Sequence, residues 1–234
     1  MADWLCDVFP DGIICTYIIL SGRDYTMNKN VYDEIKDLAD TYTTNLKEQV
    51  DARIDEMKKD DTAHYFLYNV LGVSDVEGDQ IDIYQNKGRF LYKYAGSFLE
   101  EAALICFKHA YPNAQKVKIA NPFGGTPKTF EIDCLVGMDA HELKWRDATT
   151  DGDHINKERR RVNAIKSYEY IPIRVMFYEP QRTQAQKIQS KLQTMYEELG
   201  GKYYSGENAW KYIENYTGVN LHEILSNIIA TRKF

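Results

Sequence analysis

The spacing of apolar residues changes twice along the chain. Over 28–60, Val31, Ile35, Leu38, Leu46, Val50, Ile54 and Met57 recur at roughly helical intervals among Lys, Asp and Glu. This predicts one or two long amphipathic helices. A shorter apolar helix is expected over 63–71, ended by Gly72, and another over 88–109, where Phe98, Ala102, Ile105 and Cys106 share a stripe. Tyr111-Pro112-Asn113 stops it. The period then becomes two. Val117 and Ile119 alternate with Lys116 and Lys118, and Phe130, Ile132, Cys134 and Val136 alternate with Glu131, Asp133 and Leu135. Both stretches read as strands, separated by the turn-rich loop 121–128. A short turn at 137–140 leads into a strand over 141–146, and a helix starting within 149–153 runs to 167. Another strand covers 170–178, and its Pro172 predicts an edge or a bulge there. After Pro180, Ile188, Leu192, Met195, Tyr196 and Leu199 mark a helix ended by Gly200-Gly201, and helices follow over 206–216 and 220–231.

This order, helices then β-β-β-α-β then helices, predicts an α/β fold around a central mixed β-sheet flanked by helices, with helical N- and C-terminal elaborations. We expect a single domain over 1–234, made of a mainly helical region 1–95, a core 96–180 and a helical region 181–234.

Composition narrows the function classes. No apolar run approaches the ~20 residues of a membrane span, and the run at 12–20 ends too early to anchor. Met-Ala-Asp-Trp places an acid where a secretory signal carries positive charge. The expectation is a cytoplasmic protein with no targeting segment and no membrane partner. Cys6, Cys15, Cys106 and Cys134 lack the paired spacing of a zinc site, and the last two sit in apolar stretches as expected buried thiols. The net charge of −6 argues against nucleic acid, but ten Lys/Arg against six Asp/Glu over 144–187 make that strip basic. Such a strip suits a protein that grips DNA at one face.

Candidate chemistry centres on Asp133, Glu142 and Lys144. Asp133 and Glu142 are nine residues apart across one turn, so an antiparallel hairpin can bring the two carboxylates together. Glu142 and Lys144 are two apart on a strand and share a face, with Leu143 and Trp145 on the other. Two carboxylates beside an ammonium suit a hard cation such as Mg²⁺ acting on a phosphate, with Lys144 stabilising charge or helping deprotonate water. Glu-x-Lys alone says nothing, since Glu34-Ile-Lys36 and Glu56-Met-Lys58 repeat it in polar helical stretches. Only Glu142-Leu-Lys144 follows a strand with an acid and a hairpin-length turn. Arg146, Asn156, Lys157 and Arg160 are the candidate DNA contacts, with Arg159 and Arg161 beside them. The three consecutive arginines point different ways around a helix and cannot share one task. His141 and His154 are weaker acid–base candidates. The loop 121–128 lacks the Gly-Lys-Ser/Thr ending of a phosphate loop.

Glu131-Ile-Asp133 followed by Glu142-Leu-Lys144 resembles the PD-(D/E)XK nuclease signature in strand context and spacing. The order α-β-β-β-α-β over 96–178 resembles that family's common core, less than half of the chain. The usual proline is absent, Glu131-Ile132 preceding Asp133. Within the family, the chain resembles a type II restriction endonuclease, and Glu-Leu-Lys-Trp-Arg-Asp-Ala-Thr-Thr-Asp-Gly-Asp-His is similar to the ApaLI-like group. The resemblance implies a restriction-endonuclease-like core and an auxiliary acid on the preceding helix, Glu100 first and Glu101 second. It also implies Mg²⁺ held by Asp133, Glu142 and the carbonyl of Leu143, and double-stranded DNA cut by a homodimer whose symmetry matches a palindromic site. The rivals are a structure-selective or repair nuclease such as a junction resolvase, an inactive nuclease-fold DNA-binding protein, and a helical interaction protein.

Overall fold

The computed structural model of the protein describes residues 15–146 and 153–233. Three helices come first, α1 (Cys15–Met57), α2 (Tyr65–Val70) and α3 (Asp75–Ala110). A β-meander follows, β1 (Gln115–Ala120), β2 (Thr129–Val136) and β3 (Asp139–Arg146). Then come α4 (Asp153–Ser167), β4 (Ile171–Tyr178), α5 (Thr183–Glu198), β5 (Lys202–Ser205), α6 (Glu207–Thr217) and α7 (Leu221–Thr231). Among the described residues no helix is long and apolar enough to cross a membrane.

The strands form one mixed sheet in the order β1-β2-β3-β4-β5. The first three pair antiparallel, and β3-β4 and β4-β5 pair parallel across the helical crossovers α4 and α5. Gly137, at φ +56°, opens the two-residue loop between Val136 and Asp139, as a hairpin of matching twist requires.

One face of the sheet carries the main core. Leu143, Ile173, Val175 and Phe177 pack there with Ala102, Ala103 and Phe107 of α3, Val31 and Ile35 of α1, Ile213 of α6 and Ile228 of α7. On the other face Ala140, Ile132 and Phe130 meet Ala164 and Ile165 of α4. Val162 packs there with Ile188, Leu192 and Met195 of α5.

Four features depart from the expectations. Helix α3 begins at Asp75, well before 88, because Ser74 caps it by accepting the Glu77 N–H, and Asp75 and Glu77 complement the helix dipole. A fifth strand, β5, lies in the stretch expected to be helical. Gly201 admits it: a Cβ there would lie 2.5 Å from the Pro172 carbonyl oxygen. Pro172 itself sits in β4, which is interior rather than an edge. The Ile171 N–H donates to the Met138 carbonyl on the β3 side. The next peptide nitrogen faces the other way, where pairing to β5 begins only at Ile173, so no ladder bond is lost. Finally, β2 is not a uniform alternation. Val117 pairs with Ile132 but Gln115 with Leu135, so Asp133 and Cys134 together stand opposite one residue of β1. This bulge sends Ile132 to the α4 side and Cys134 to the α3 side.

Candidate active site

The bulge lies where β2 and β3 separate. The two strands pair from Val136↔Asp139 to Cys134↔His141 and no further. Beyond that point, the Leu143 N–H is met by a side chain: it donates to Asp133 Oδ2 at 2.8 Å. The N–H and C=O of one strand residue face the same neighbour, so the Leu143 carbonyl also faces this gap. Lys144 Nζ donates to it at 3.1 Å.

Lys144 is the hub. Its ammonium lies 2.7 Å from Glu142 Oε1, 3.5 Å from Asp133 Oδ2 and 3.7 Å from Glu100 Oε1. Asp133 and Glu142 are only 6% and 2% exposed. Burial, and next the neighbouring Glu142, push the Asp133 carboxyl up to about 7, against the opposing pull of Lys144. Glu100 is raised as well, mainly by burial. Burial alone would lower Lys144, but the three carboxylates outweigh it and hold its pKa above the usual lysine value.

Three of the expected acids therefore converge on one ammonium. Glu101 does not join them: it accepts the Tyr42 hydroxyl at 2.8 Å, against α1. The expected DNA contacts are dispersed. Asn156, Lys157 and Arg160 are exposed on α4, and Arg160 donates to the Thr126 carbonyl of the β1-β2 loop at 3.4 Å. Arg146, at the end of β3, lies over the rings of Tyr92 and Trp145, at 5.2 and 5.6 Å. Part of the family-like run, 147–152, lies outside the described residues, as does all of the expected helix start at 149–153 except Asp153, where α4 begins.

His141 is not an acid–base candidate. It is fully buried on the core face of β3, opposite Glu142 and Lys144. A carbonyl only accepts, so Nδ1–H donates to the Cys134 carbonyl at 3.1 Å and Nε2 accepts the Tyr212 hydroxyl at 2.8 Å. Burial lowers its pKa to about 4, and it stays neutral at ordinary pH. Its contribution to stability is complete above the unfolded value of ~6.5 and is lost as pH falls toward 4, up to roughly 3 kcal/mol. Asp133 acts oppositely in the metal-free protein, since its folded form holds a proton that the unfolded chain has released. Urea unfolding of Asp133→Asn should therefore lose about 2–3 kcal/mol between pH 6.5 and 4.5. A flat profile over that window would contradict the neutral, buried assignment. The thiols of Cys106 and Cys134 are buried as expected, and burial pushes both up to about 12, leaving them unreactive.

Sequence reasoning missed what lies behind Glu142. Its Oε2 is paired with the Arg161 guanidinium. Arg161 Nε stands 3.7 Å from Glu158 Oε2, and Glu158 Oε1 accepts both Arg174 Nη1 at 3.0 Å and the Tyr196 hydroxyl at 2.6 Å. Arg174 is 0% exposed and lies beside Glu142 in the β3-β4 register. The available signal was a lone arginine in the apolar strand Ile-Pro-Ile-Arg-Val-Met-Phe, a residue type that is buried only when paired.

Among the described residues, no three His, Cys, Asp or Glu side chains form a ready-made metal cage. A magnesium site does not need one, because one or two carboxylates with phosphate oxygens and water suffice. Asp133, Glu142 and the Leu143 carbonyl, facing one gap, fit that requirement.

No curated protein matches the chain, and neither does any solved structure. A family model described as ApaLI-like restriction endonuclease matches residues 27–230, from within α1 to the last turn of α7. That span is most of the chain and takes in the five-stranded sheet and the gap between β2 and β3, so the protein belongs to the ApaLI-like restriction endonuclease family.

Proposed function

We propose that the protein is a type II restriction endonuclease that hydrolyses phosphodiester bonds of double-stranded DNA at a short specific site, using Mg²⁺. The observation that carries this reading is the pair of buried carboxylates, Asp133 and Glu142, sharing Lys144 where β2 and β3 separate. Buried acids repel one another unless a cation stands between them, and here the Lys144 ammonium stands among three.

Asp133, Glu142 and the Leu143 carbonyl would hold the ion, which when bound polarises the scissile phosphate and lowers the pKa of an attacking water. Lys144, held protonated by its three acidic neighbours, supplies positive charge to the phosphate as negative charge develops in the transition state. Those acidic neighbours favour the charge-stabilising role over that of a base. Glu100, poised on α3 at the mouth of the gap, is the auxiliary acid in this reading. The core 96–180 carries the chemistry. Arg146, Asn156, Lys157 and Arg160 supply DNA contacts from the end of β3 and the exposed side of α4. Two copies related by a twofold axis would cut both strands of a palindromic site.

The test is incubation of the purified protein with long unmethylated duplexes in Mg²⁺ or EDTA. Discrete, Mg²⁺-dependent fragments that disappear with Asp133→Asn are expected, and their ends give the recognition sequence. Intact DNA across several templates would refute sequence-specific cleavage.

A further inference from the structure

Both oxygens of Glu142 are already taken by cations of the chain itself. Lys144 Nζ lies 2.7 Å from Oε1, and the Arg161 guanidinium pairs with Oε2. A divalent ion approaching this carboxylate meets two like charges, and one has to yield. Lys144 is tied to three other groups: Asp133, Glu100 and the Leu143 carbonyl. Arg161 touches neither of the other two candidate ligands, Asp133 and the Leu143 carbonyl, and it has other acceptors within reach. Its Nε is 3.7 Å from Glu158 Oε2, and its Nη1 is 3.5 Å from the Glu131 carbonyl oxygen.

Glu158 cannot follow Arg161 if it moves. Arg174 and Tyr196 clamp its other oxygen at 3.0 and 2.6 Å, and it is buried between α4, β4 and α5. Arg161 is thus anchored at a fixed carboxylate, with its guanidinium reaching a candidate metal ligand.

We propose that Arg161 is a built-in counter-ion that latches Glu142 in the metal-free protein and gives way to the divalent cation while staying tethered to Glu158. The proposal rests on the reading of Asp133 and Glu142 as metal ligands. It makes Arg161 a positioning residue whose charge opposes metal entry. Losing that charge should therefore tighten metal binding, whereas losing a mere structural support would weaken it.

The measurement is calorimetric titration of Mn²⁺ into DNA-free protein, for the wild type and for Arg161→Gln, Asp133→Asn and Lys166→Gln. Arg161→Gln should bind Mn²⁺ at least about tenfold more tightly, as removal of a like charge at contact range implies. Its melting temperature should rise more on metal addition than the wild type's. Lys166→Gln, which loses a charge farther along α4, should match the wild type. Unchanged or weaker binding by Arg161→Gln, with binding abolished in Asp133→Asn, would overturn the latch and leave the metal site standing. No binding by the wild type, or binding indifferent to Asp133→Asn, would overturn the metal site and the latch together. A second measurement needs only folded wild-type protein. The Arg161 Nε–H resonance, assigned by its loss in Arg161→Lys, should shift on saturation with Mg²⁺, and an unmoved resonance would also refute the exchange.

Discussion

Lys144→Ala should reduce single-turnover cleavage by about a thousandfold or more, while duplex DNA is still bound. The ammonium is the only positive group within 4 Å of Asp133, Glu142 and Glu100 together among the described residues. Its removal takes away the charge that would meet the scissile phosphate. Three acids also lose a shared counter-ion, so their negative charge attracts a divalent cation at least as strongly. The variant should therefore bind Mn²⁺ no more weakly than the wild type while failing to cut. Separating the two readouts matters, because a folding defect would lower both. Cleavage within tenfold of wild type would remove Lys144 from the chemistry.

Glu158→Ala should destabilise the protein by roughly 3–5 kcal/mol, the usual consequence of removing one partner of a buried ion pair. The charge left behind is Arg174, which is fully buried and has Glu158 as its ion-pair partner at 3.0 Å. For a chain of 234 residues this corresponds to a fall in Tm of roughly 10 °C. Tyr196 loses its acceptor in the same variant. Replacing both charges together, as Glu158→Leu with Arg174→Met, should recover most of the loss, since apolar side chains of similar volume replace a buried pair at little net cost. A single variant as stable as the wild type in urea unfolding would show that Arg174 is compensated elsewhere. A double variant no better than the single would assign the loss to packing rather than charge.

The two sites respond differently because of where they stand. In the proposed mechanism Lys144 lies at an opening that admits a phosphate, and its three acidic partners stand 2.7–3.7 Å from one ammonium. Glu158 and Arg174 lie under α4 and α5, where nothing enters, and their role is to fix the elements that aim Arg161 at Glu142.

Much of this was legible in the sequence because it is local. Apolar spacing of three to four identified the helices, and spacing of two the strands, since those periods follow from backbone geometry alone. The hairpin was readable from Gly137 and the acids on either side, and the sharing of a face by Glu142 and Lys144 follows from their separation by two. The ApaLI-like resemblance was carried by the same short run, and the family match bears it out.

What the sequence could not decide depended on residues far apart along the chain. Strict alternation put Asp133 on the same face as Glu131 and Leu135. Only pairing with β1 reveals the bulge that turns it toward the Leu143 N–H. Glu100 and Glu101 are equivalent acids on a helix until α3 docks: α1 then brings Tyr42 to Glu101, and β3 brings Lys144 to Glu100. Pro172 read as an edge residue because a proline lacks an N–H, yet β5 begins one residue too late to need it. Of the three arginines on α4, only Arg161 points at Glu142, a choice set by which side of α4 packs on the sheet. Periodicity within a segment therefore determined the elements and the candidate acids. Register, bulge and helix docking determined which of those acids meet, because a side chain's partners across the fold are set by contacts that no single segment contains.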